Sequence, residues 1–180
     1  METKTIPILT DNLYLRRITM EDAFPMFNNW ANDEEVTKYV NWQPHRSINI
    51  TKEVISSWIN QYNSDFFFQW IIEYKANKEV IGTISLFNYK DNSLEVGYCI
   101  SKKYWNQGFT TEACKAVIHF AFNQVKVKKV LARHITENIA SGKVMQKNKM
   151  TYIGTTEEYI SSKNKQVSVC HYVINKEDFE

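Results

Sequence analysis

Apolar and polar residues repeat along this chain with two periods, and these periods divide it into strands and helices. Alternation with a period of two from Leu13 to Ile18 predicts a first strand, and later apolar stretches predict strands over 67–74, 79–89, 94–100, 129–135, 150–160 and 167–174. Apolar positions three or four residues apart predict helices over 19–32, 33–40, 47–61, 111–124 and 139–148. Strands that first pair as a meander and then alternate with helices predict an α+β (mixed α/β) fold, with a mixed sheet covered by helices on both faces.

The length and composition limit the class of protein. A chain of 180 residues is long enough for one substantial core and too short for two ordinary domains, so we expect a single domain over residues 1–180. Because 43% of the residues are hydrophobic and 14% are aromatic, disorder is not expected. No apolar run reaches the roughly 18–20 residues that cross a bilayer, and no apolar signal segment opens the chain, so no membrane partner is expected.

Charge and cysteine content narrow the partners and the compartment. The formal net charge is only +2, which does not favour a nucleic-acid partner. Cys99, Cys114 and Cys170 are odd in number and widely spaced, as expected for reduced thiols in a cytoplasmic protein. No group of His, Cys and Asp residues has the spacing of a metal site, so no metal cofactor is predicted.

The segment between the strand 94–100 and the helix 111–124 carries the strongest chemical signal. A strand, a glycine turn and a helix start direct main-chain N–H groups and the positive end of a helix dipole at one point, which suits a phosphate or pyrophosphate. Gly108 supplies the freedom of the turn and has no Cβ to hinder a phosphate. Taken alone, such a turn is often only a connector. The predicted binding residues are Asn106, Gln107, Gly108, Phe109, Thr110 and Thr111.

A second strand and helix junction follows, where the strand 129–135 leads through Asn138 into the helix 139–148. The order of the two junctions closely resembles the paired acetyl-CoA segments of the GNAT N-acetyltransferases. The opening run 13–23 is similar to the branch that contains the Rim-type ribosomal-protein N-terminal acetyltransferases. The resemblance covers residues 10–175 and implies the GNAT fold, whose mostly antiparallel sheet has two central parallel strands that splay apart around acetyl-CoA.

The resemblance assigns roles in cofactor binding to individual residues. In the family pattern Q/R-x-x-G-x-G/A, Gly108 matches, Trp105 replaces Gln or Arg, and Thr110 stands where a smaller residue is usual. Asn138 and Ser141 match the N-x-x-S of the second segment. This match implies that Asn138 binds pantetheine and that Ser141 protonates the leaving thiolate. Alternatively, Asn138 only caps the helix that follows it.

The strand 94–100 is predicted to line the cleft. We expect Gly97 to mark a bulge that bends this strand away from its parallel neighbour, with a plain packing glycine as the alternative. The bend exposes main-chain groups of Tyr98, Cys99 and Ile100 to pantetheine. The thiol of Cys99 has no visible activating partner and is therefore interpreted as a buried structural group.

A carboxylate in the same strand is the candidate general base. Acetyl transfer needs a neutral amine, yet a lysine-type amine has a pKa of about 10.4, so a base has to take its proton. Glu95 is an acid two residues before a strand glycine, and the resemblance to GNATs that use a glutamate of this strand implies the same role. The alternative is a structural Glu95 paired with an arginine such as Arg133. His134, near the end of the second parallel strand, is a second candidate base.

The acceptor is the least determined part of the site. Trp42, in a loop that contains a proline, is expected to form a wall for the acceptor, whereas Trp30, Tyr39 and the run 66–68 are expected mainly in the core. We predict a cytoplasmic acetyl-CoA-dependent N-acetyltransferase, monomeric or homodimeric, in which a primary amine attacks the thioester directly within a ternary complex. The Rim-type resemblance implies a protein N-terminus as acceptor.

Other acceptors and other functions remain open at this stage. Small amines, polyamines and aminoglycosides are alternative acceptors. A non-catalytic acyl-CoA-binding module would keep the fold without the chemistry, although Glu95 and Ser141 together argue against it. A phosphate- or nucleotide-binding domain unrelated to GNATs would explain the glycine turn, but it would leave the second junction as a coincidence.

Overall fold

Eight strands form the sheet that organises the part of the chain described by the computed structural model, residues 4–179. The strands are β1 (Ile8–Leu9), β2 (Leu13–Arg16), β3 (Phe68–Tyr74), β4 (Glu79–Lys90), β5 (Ser93–Ile100), β6 (Lys129–Ile135), β7 (Thr151–Ile160) and β8 (Lys165–Asn175). The helices are α1 (Ala23–Met26), α2 (Glu34–Thr37), α3 (Ile48–Gln61), α4 (Phe109–Phe120), α5 (Ile139–Lys147) and α6 (Lys176–Phe179). Every predicted element has a counterpart, while β1 and α6 have no clear signal in the sequence pattern.

The strands follow the order β1-β2-β3-β4-β5-β6-β8-β7 across the sheet. Every neighbouring pair is antiparallel except β5 and β6, which run parallel. The α+β class and a mostly antiparallel sheet with one central parallel pair are therefore confirmed. Within the described residues, we find no helix with the length and apolar character of a membrane span.

Helices cover both faces of the sheet, and each face has its own apolar core. On one face, α4 and α5 pack against the central strands, and the rings of Trp70 and Phe120 meet edge to face with centroids 5.2 Å apart. On the other face, the segment from α1 to α3 packs through Met26, Trp30 and Ile55. Burying a large apolar side chain contributes about 1.5–3 kcal/mol, so these contacts fix the helices that flank the site.

The sequence period of the first helix predicts one apolar stripe of Phe24, Phe27 and Trp30, and this prediction is only partly correct. Trp30 is fully buried, but Phe24 is 71% exposed and Phe27 is half-buried. The helix does not keep a single period, because a 3-10 turn precedes α1 and a π turn, Phe27–Ala31, follows it. The wider turn changes the phase, and Met26 takes the buried position next to Trp30.

The two parallel strands part soon after they meet. Their pairing is limited to three residue pairs, Ser93 with Lys129, Leu94 with Val130 and Glu95 with Leu131. Beyond Glu95 both strands continue, β5 to Ile100 and β6 to Ile135, without pairing to each other. The splayed parallel pair implied by the resemblance is therefore present, and it opens a cleft.

The predicted bulge at Gly97 is wrong. β5 keeps an unbroken register with β4 on both sides of Gly97, and a Cβ added there would stand only 2.9 Å from Cε1 of Phe87. Gly97 is thus the packing glycine that was the alternative. The irregularity lies on β4, where the register shifts between Phe87 and Lys90 and Asn88 has a φ of 54°.

The turn after α5 contains a lysine in a glycine-like conformation. GNATs usually have a glycine late in this segment, and Lys149 stands there instead. Lys149 has a φ of 59°, in the left-handed region where a Cβ is costly. The turn therefore has a conformation that suits glycine, although a lysine occupies it.

Lys149→Gly should raise the free energy of unfolding by about 0.5–1 kcal/mol, because glycine adopts this conformation without the steric cost. Chemical denaturation measures the change. Lys115→Gly, at an exposed position inside α4, is the matched control and should lower the free energy of unfolding by about 0.5–1 kcal/mol. A loss of stability in Lys149→Gly equal to that of the control would contradict the assignment of strain.

Candidate active site

A cleft of about 490 Å³ opens where β5 and β6 part. The α5 end of this cleft is lined by residues of β5, β6 and α5, namely Val96, Tyr98, His134, Asn138, Ser141 and Met145. The aromatic end is lined by large apolar side chains, namely Trp30, Tyr39, Trp42, Val54, Trp58, Phe87, Ile160 and Val169. Glu95 and Arg133 lie on the walls of the same cleft. One continuous space therefore connects the predicted acid, the predicted base and an apolar pocket.

Gly108 begins α4 in a conformation that favours glycine. Its φ of 85° is left-handed, and no atom lies within 4 Å of the place where a Cβ would stand. The first ladder bond of α4 runs from Glu112 N–H to the Gly108 carbonyl at 3.0 Å, so the amides of Phe109, Thr110 and Thr111 have no acceptor inside the helix. These amides, the helix dipole and the open space fit a pyrophosphate.

The loop before α4 is fixed by side chains that bond to the main chain. Trp105 Nε1 donates to the Ile100 carbonyl at 3.0 Å, and Gln107 Nε2 donates to the Lys103 carbonyl at 2.9 Å. Asn106 is exposed, with a left-handed φ of 60°. Trp105 therefore stabilises the loop from the position where the resemblance implies Gln or Arg, and the candidate anion site consists mainly of main-chain groups.

Glu112 ties the start of α4 to the N-terminal strands. Its carboxylate accepts hydrogen bonds from Thr10 Oγ1 at 2.6 Å, from the Asn12 N–H at 2.7 Å and from Asn12 Nδ2 at 2.9 Å. Burial alone would raise the pKa of Glu112, but these hydrogen bonds outweigh burial and the pKa is lowered. The amides at the start of the helix are thus held in position by the fold itself.

Main-chain groups of β5 face the gap that β6 leaves. Ser101 N–H donates to the Ile81 carbonyl of β4 at 2.7 Å. Because the main-chain groups of successive strand residues point to opposite sides, those of Cys99 also face β4. Val96 and Tyr98 turn their N–H and C=O groups toward the gap. Ile100 shares that direction, although its carbonyl already accepts from the indole of the loop. The main-chain groups of Tyr98 and Ile100 therefore suit the predicted contact with pantetheine. Those of Cys99 do not, because they face β4. Val96, which was not predicted, also faces the gap.

The first turn of α5 presents Ser141 to the cleft. Asn138 Oδ1 accepts from the Ser141 N–H at 3.2 Å, so Asn138 forms the helix cap that was its alternative role, while its side chain also borders the cleft. Ser141 Oγ lies 2.9 Å from the hydroxyl of Tyr98, and that hydroxyl also lies 3.2 Å from the Ser141 carbonyl. Burial, with a smaller contribution from Cys114, raises the pKa of Tyr98, so its phenol stays protonated.

Glu95 lies at the point where the strands part, within an ion pair that links β5 to β6. Its Oε1 accepts from Arg133 Nε at 2.8 Å, and its Oε2 accepts from Asn88 Nδ2 at 3.1 Å. Arg133 Nη1 also donates to Glu158 Oε2 at 2.9 Å. The pairing of Glu95 with Arg133, which was the structural alternative, is therefore formed. Two carboxylates that share one guanidinium leave a single net negative charge.

His134 lies on β6 opposite α5. Its Nδ1 is 2.8 Å from the Ile135 carbonyl, which can only accept, so Nδ1 carries the proton and Nε2 has the free lone pair. Among the described residues Nε2 finds no hydrogen-bond partner, and it is buried. A Cβ added at Gly142 would stand 2.8 Å from Nε2, so the lone pair faces α5 rather than Glu95.

The environment of Cys99 does not favour a nucleophile. Burial, with a smaller contribution from the charge of Asp33, raises the pKa of the Cys99 thiol to about 12. The thiolate that an acyl-cysteine step needs is therefore scarce at neutral pH. In the part of the chain that the structure describes, no group of three or more His, Cys, Asp or Glu residues could hold a metal ion.

Hydrogen bonds join two segments beside the aromatic end. Trp42 is half-buried in its wall, with its ring centroid 5.3 Å from that of His45. Across the rim, side chains donate hydrogen bonds to main-chain carbonyls, and we call these contacts between residues 37–43 and 161–163 the rim bridge. The donor and acceptor pairs are Gln43 to Ser162 at 2.7 Å, Ser162 to Asn41 at 2.7 Å, Lys163 to Lys38 at 2.9 Å and Lys163 to Thr37.

Three contributors to the site were missed by sequence reasoning. A role is predicted for the main chain of Tyr98 but none for its side chain. Arg133 is predicted only as a partner of Glu95, and the rim bridge is not predicted. The ion pair between Arg133 and Glu95 could have been predicted, because the two residues lie on strands predicted to be parallel neighbours. The rim bridge has none, because Gln43 and Ser162 are 119 residues apart.

Comparison with known proteins shows which family shares this fold and these sequence motifs. The sequence model of the Acetyltransferase (GNAT) domain matches residues 12–151. An uncharacterized N-acetyltransferase of Bacillus subtilis, YoaA, is 32% identical over 157 residues, which cover 86% of this chain and 88% of that protein.

Two solved structures share the fold. RimL, a ribosomal L7/L12 alpha-N-protein acetyltransferase in complex with coenzyme A, has a TM-score of 0.84 at 16% identity and covers 94% of this chain and 98% of its own. Spermidine N-acetyltransferase from Vibrio cholerae, in complex with CoA and spermine, has a TM-score of 0.80 at 18% identity and covers 94% and 99%. One protein is named for a protein acceptor and the other for a polyamine, so the fold does not select the acceptor.

Gly108→Val should raise the dissociation constant for CoA at least about tenfold while the protein stays folded. Valine disfavours a φ of 85°, so the turn that aligns the amides is distorted, and each amide bond to a charged oxygen contributes about 1.5–3 kcal/mol. Titration calorimetry measures the affinity. Gly154→Val is the matched control, because Gly154 also has a positive φ and open space but lies in β7. Equal affinity in both variants would remove the loop from cofactor binding.

Proposed function

The chain belongs to the GNAT acetyltransferase family and is an acetyl-CoA-dependent N-acetyltransferase. We propose that its acceptor is a compact primary amine with one positive charge and an apolar body. Acetyl-CoA supplies the activated acetyl group as a thioester. The observation that carries the choice of acceptor is the rim bridge, which joins residues 37–43 to residues 161–163 beside the aromatic end. A compact amine fits behind this bridge, whereas an extended polypeptide requires an open rim.

The charges in the cleft support a monoamine over a polyamine. Arg133 pairs with both Glu95 and Glu158, so the cluster retains one net negative charge. That charge can balance one ammonium group, whereas a polyamine needs several unpaired carboxylates to replace its hydration. The rings of Trp42 and Trp58 offer an apolar surface for the remainder of the acceptor.

A protein N-terminus, which the Rim-type resemblance implies, is the second candidate acceptor. An α-amino group also carries one charge, and a first residue with an apolar side chain presents the same chemistry to the aromatic end. The residues that follow would have to pass the rim bridge, so binding of a polypeptide requires its hydrogen bonds to open. The single net charge of the Glu95 cluster supports this candidate, and the rim bridge opposes it.

The same geometry supports direct transfer with separate proton acceptors and donors. In the proposed mechanism, Glu95 takes the proton of the acceptor ammonium, directly or through a water molecule. Although Arg133 and Asn88 bond to Glu95, each carboxylate oxygen retains lone-pair capacity for a further proton donor. Ser141 donates to sulfur as the C–S bond breaks. The protonated thiol of Cys99 supports a ternary complex over an acyl-enzyme.

The cysteines support the cytoplasmic location that we propose. Cys99, Cys114 and Cys170 are free thiols. Burial raises the pKa of Cys114 to about 12, so this thiol is protected from oxidation by both location and protonation. Unpaired thiols fit a reducing compartment better than an oxidising one.

A panel of acceptors should rank compact apolar monoamines first. With arylalkyl and alkyl monoamines, kcat/KM should exceed that with spermidine or with N-terminal peptides by at least about tenfold, which corresponds to a difference of about 1.4 kcal/mol in transition-state binding. Free thiol release from acetyl-CoA measures the rate for each acceptor. Highest kcat/KM with peptides would overturn the assignment of a compact acceptor.

A variant that weakens the rim bridge and a control variant beside it test whether the bridge selects the acceptor. Lys163→Ala removes the donor to the Thr37 and Lys38 carbonyls, whereas Lys165→Ala removes a nearby exposed lysine outside the bridge. Only Lys163→Ala should raise the activity with peptides relative to the activity with small amines. An unchanged ratio in both variants would show that the bridge does not select acceptors.

Glu95→Gln should lower kcat about 10²–10⁴-fold, because glutamine keeps the shape but cannot take a proton. The loss should diminish as the pH rises, since more of the acceptor is then neutral before it binds. A pH–rate profile with a saturating monoamine provides the measurement.

Glu158→Gln is the matched control for Glu95→Gln, because it breaks the other ion pair of Arg133. It should change the KM for the acceptor and leave the pH dependence of kcat as in the wild type. If both variants lose thermal stability and neither changes the pH profile, Glu95 is structural and the base is His134 or a water molecule.

A further inference from the structure

A second hydroxyl group stands beside the proposed acid. The hydroxyl of Tyr98 lies 2.9 Å from Ser141 Oγ, and the two residues come from β5 and α5, on opposite sides of the gap. We propose that Tyr98 is a positioning residue for acetyl transfer: its phenol donates a hydrogen bond to Ser141 Oγ and thereby leaves the Ser141 proton free for the thioester sulfur. This inference rests on the proposed role of Ser141.

Two arrangements of the protons are compatible with the pair. In the first, Tyr98 donates to Ser141 Oγ, and the serine proton is free to point elsewhere in the cleft. In the second, Tyr98 donates to the Ser141 carbonyl, and the serine proton is turned back onto the phenol oxygen. The contact to Oγ is the shorter one, 2.9 Å against 3.2 Å, and the carbonyl belongs to the helical ladder of α5, so the geometry favours the first arrangement.

The surroundings fix both partners before any reaction. The Ser141 N–H is held by Asn138 Oδ1 at 3.2 Å, so the serine backbone cannot turn freely. The Tyr98 ring packs against the apolar core beneath β5, next to Cys114. Core packing alone needs only the ring. The hydroxyl, by contrast, is directed at Ser141, the residue predicted to act on sulfur.

The proposed step balances without any further reactant. The acceptor nitrogen forms a bond to the acetyl carbon, and the C–S bond breaks with its electron pair on sulfur. The acceptor ammonium gives one proton to Glu95, and the nitrogen loses a second proton as the amide forms. Sulfur receives the proton of Ser141, and the serine recovers one from the nitrogen. Tyr98 keeps its proton throughout, because its burial disfavours a phenolate.

Tyr98→Phe tests the inference, because it removes the hydroxyl and keeps the ring. We expect kcat to fall about tenfold, the effect of one hydrogen bond in the transition state, while KM for acetyl-CoA stays within about twofold. Tyr62→Phe is the matched control. The Tyr62 hydroxyl is also buried and hydrogen-bonded, to Ile18 and Gln69, but it lies outside the cleft, so its loss should lower stability and leave kcat unchanged.

A double-mutant cycle separates action through Ser141 from packing. Ser141→Ala should lower kcat more than Tyr98→Phe does, and the double variant should match Ser141→Ala within about twofold, because Tyr98 has no remaining partner to position. If Tyr98→Phe slows the Ser141→Ala enzyme by the same factor as the wild type, the inference fails. If Ser141→Ala has no effect on kcat, with chemistry shown to limit the rate, the proposed role of Ser141 fails instead.

A binding measurement gives a readout that does not depend on turnover. When CoA is bound, a Ser141 proton directed at its sulfur should stabilise the thiolate, and the ultraviolet absorbance of the thiolate reports the pKa of the bound thiol. In Tyr98→Phe that pKa should rise by about half a unit, whereas in Tyr62→Phe it should equal the wild-type value. An identical pKa in Tyr98→Phe and wild type would overturn the inference.

Discussion

The active site depends on main-chain hydrogen bonds that β5 and β6 do not make with each other. The strands pair as far as Glu95 and then part, which leaves the C=O group of Val96 and the N–H and C=O groups of Tyr98 without a neighbouring strand. Backbone groups inside a protein need partners, so the gap is predisposed to accept a ligand that carries amides of its own. The pantetheine arm of acetyl-CoA is such a ligand. The candidate pyrophosphate site at the start of α4 and Ser141 at the start of α5 lie on elements that follow the two diverging strands.

The same divergence separates the charges that the chemistry needs. Glu95 stands at the vertex, where Arg133 still reaches it from β6, while Ser141 stands further along the gap on α5. The proposed mechanism thus places proton removal and proton donation on opposite walls of one cleft. Because Arg133 also holds Glu158, the ion pairs orient the carboxylates and limit the net charge offered to an acceptor. An exposed pair of this kind adds little to stability, so its effect on orientation matters more than its energy.

Features that depend on short stretches of sequence were predictable, and features that depend on register or on distant pairing were not. The turn at Gly108 and the cap at Asn138 follow from local residue types. The prediction of a bulge at Gly97 was wrong, because a glycine in a strand can either allow a bulge or make room for an aromatic ring. Only the position of the Phe87 ring decides between the two. Phe24 was misplaced because a π turn changes the helical phase without a sequence marker. The direction of the Cys99 backbone follows from its register with β4, and single-strand periodicity does not give that register.

The rim bridge has a kinetic consequence. Three of its hydrogen bonds lie at the surface, where contacts open more readily than they do in the core. Lys163 is held there at some expense, because burial lowers the pKa of its ammonium group, with a smaller contribution from Lys165. If an acetylated product leaves through this rim, its residence time is set by the opening frequency of residues 37–43 and 161–163. The turnover rate is then limited by the opening of the rim and not by the chemical step, on the microsecond to millisecond scale typical of loop gates.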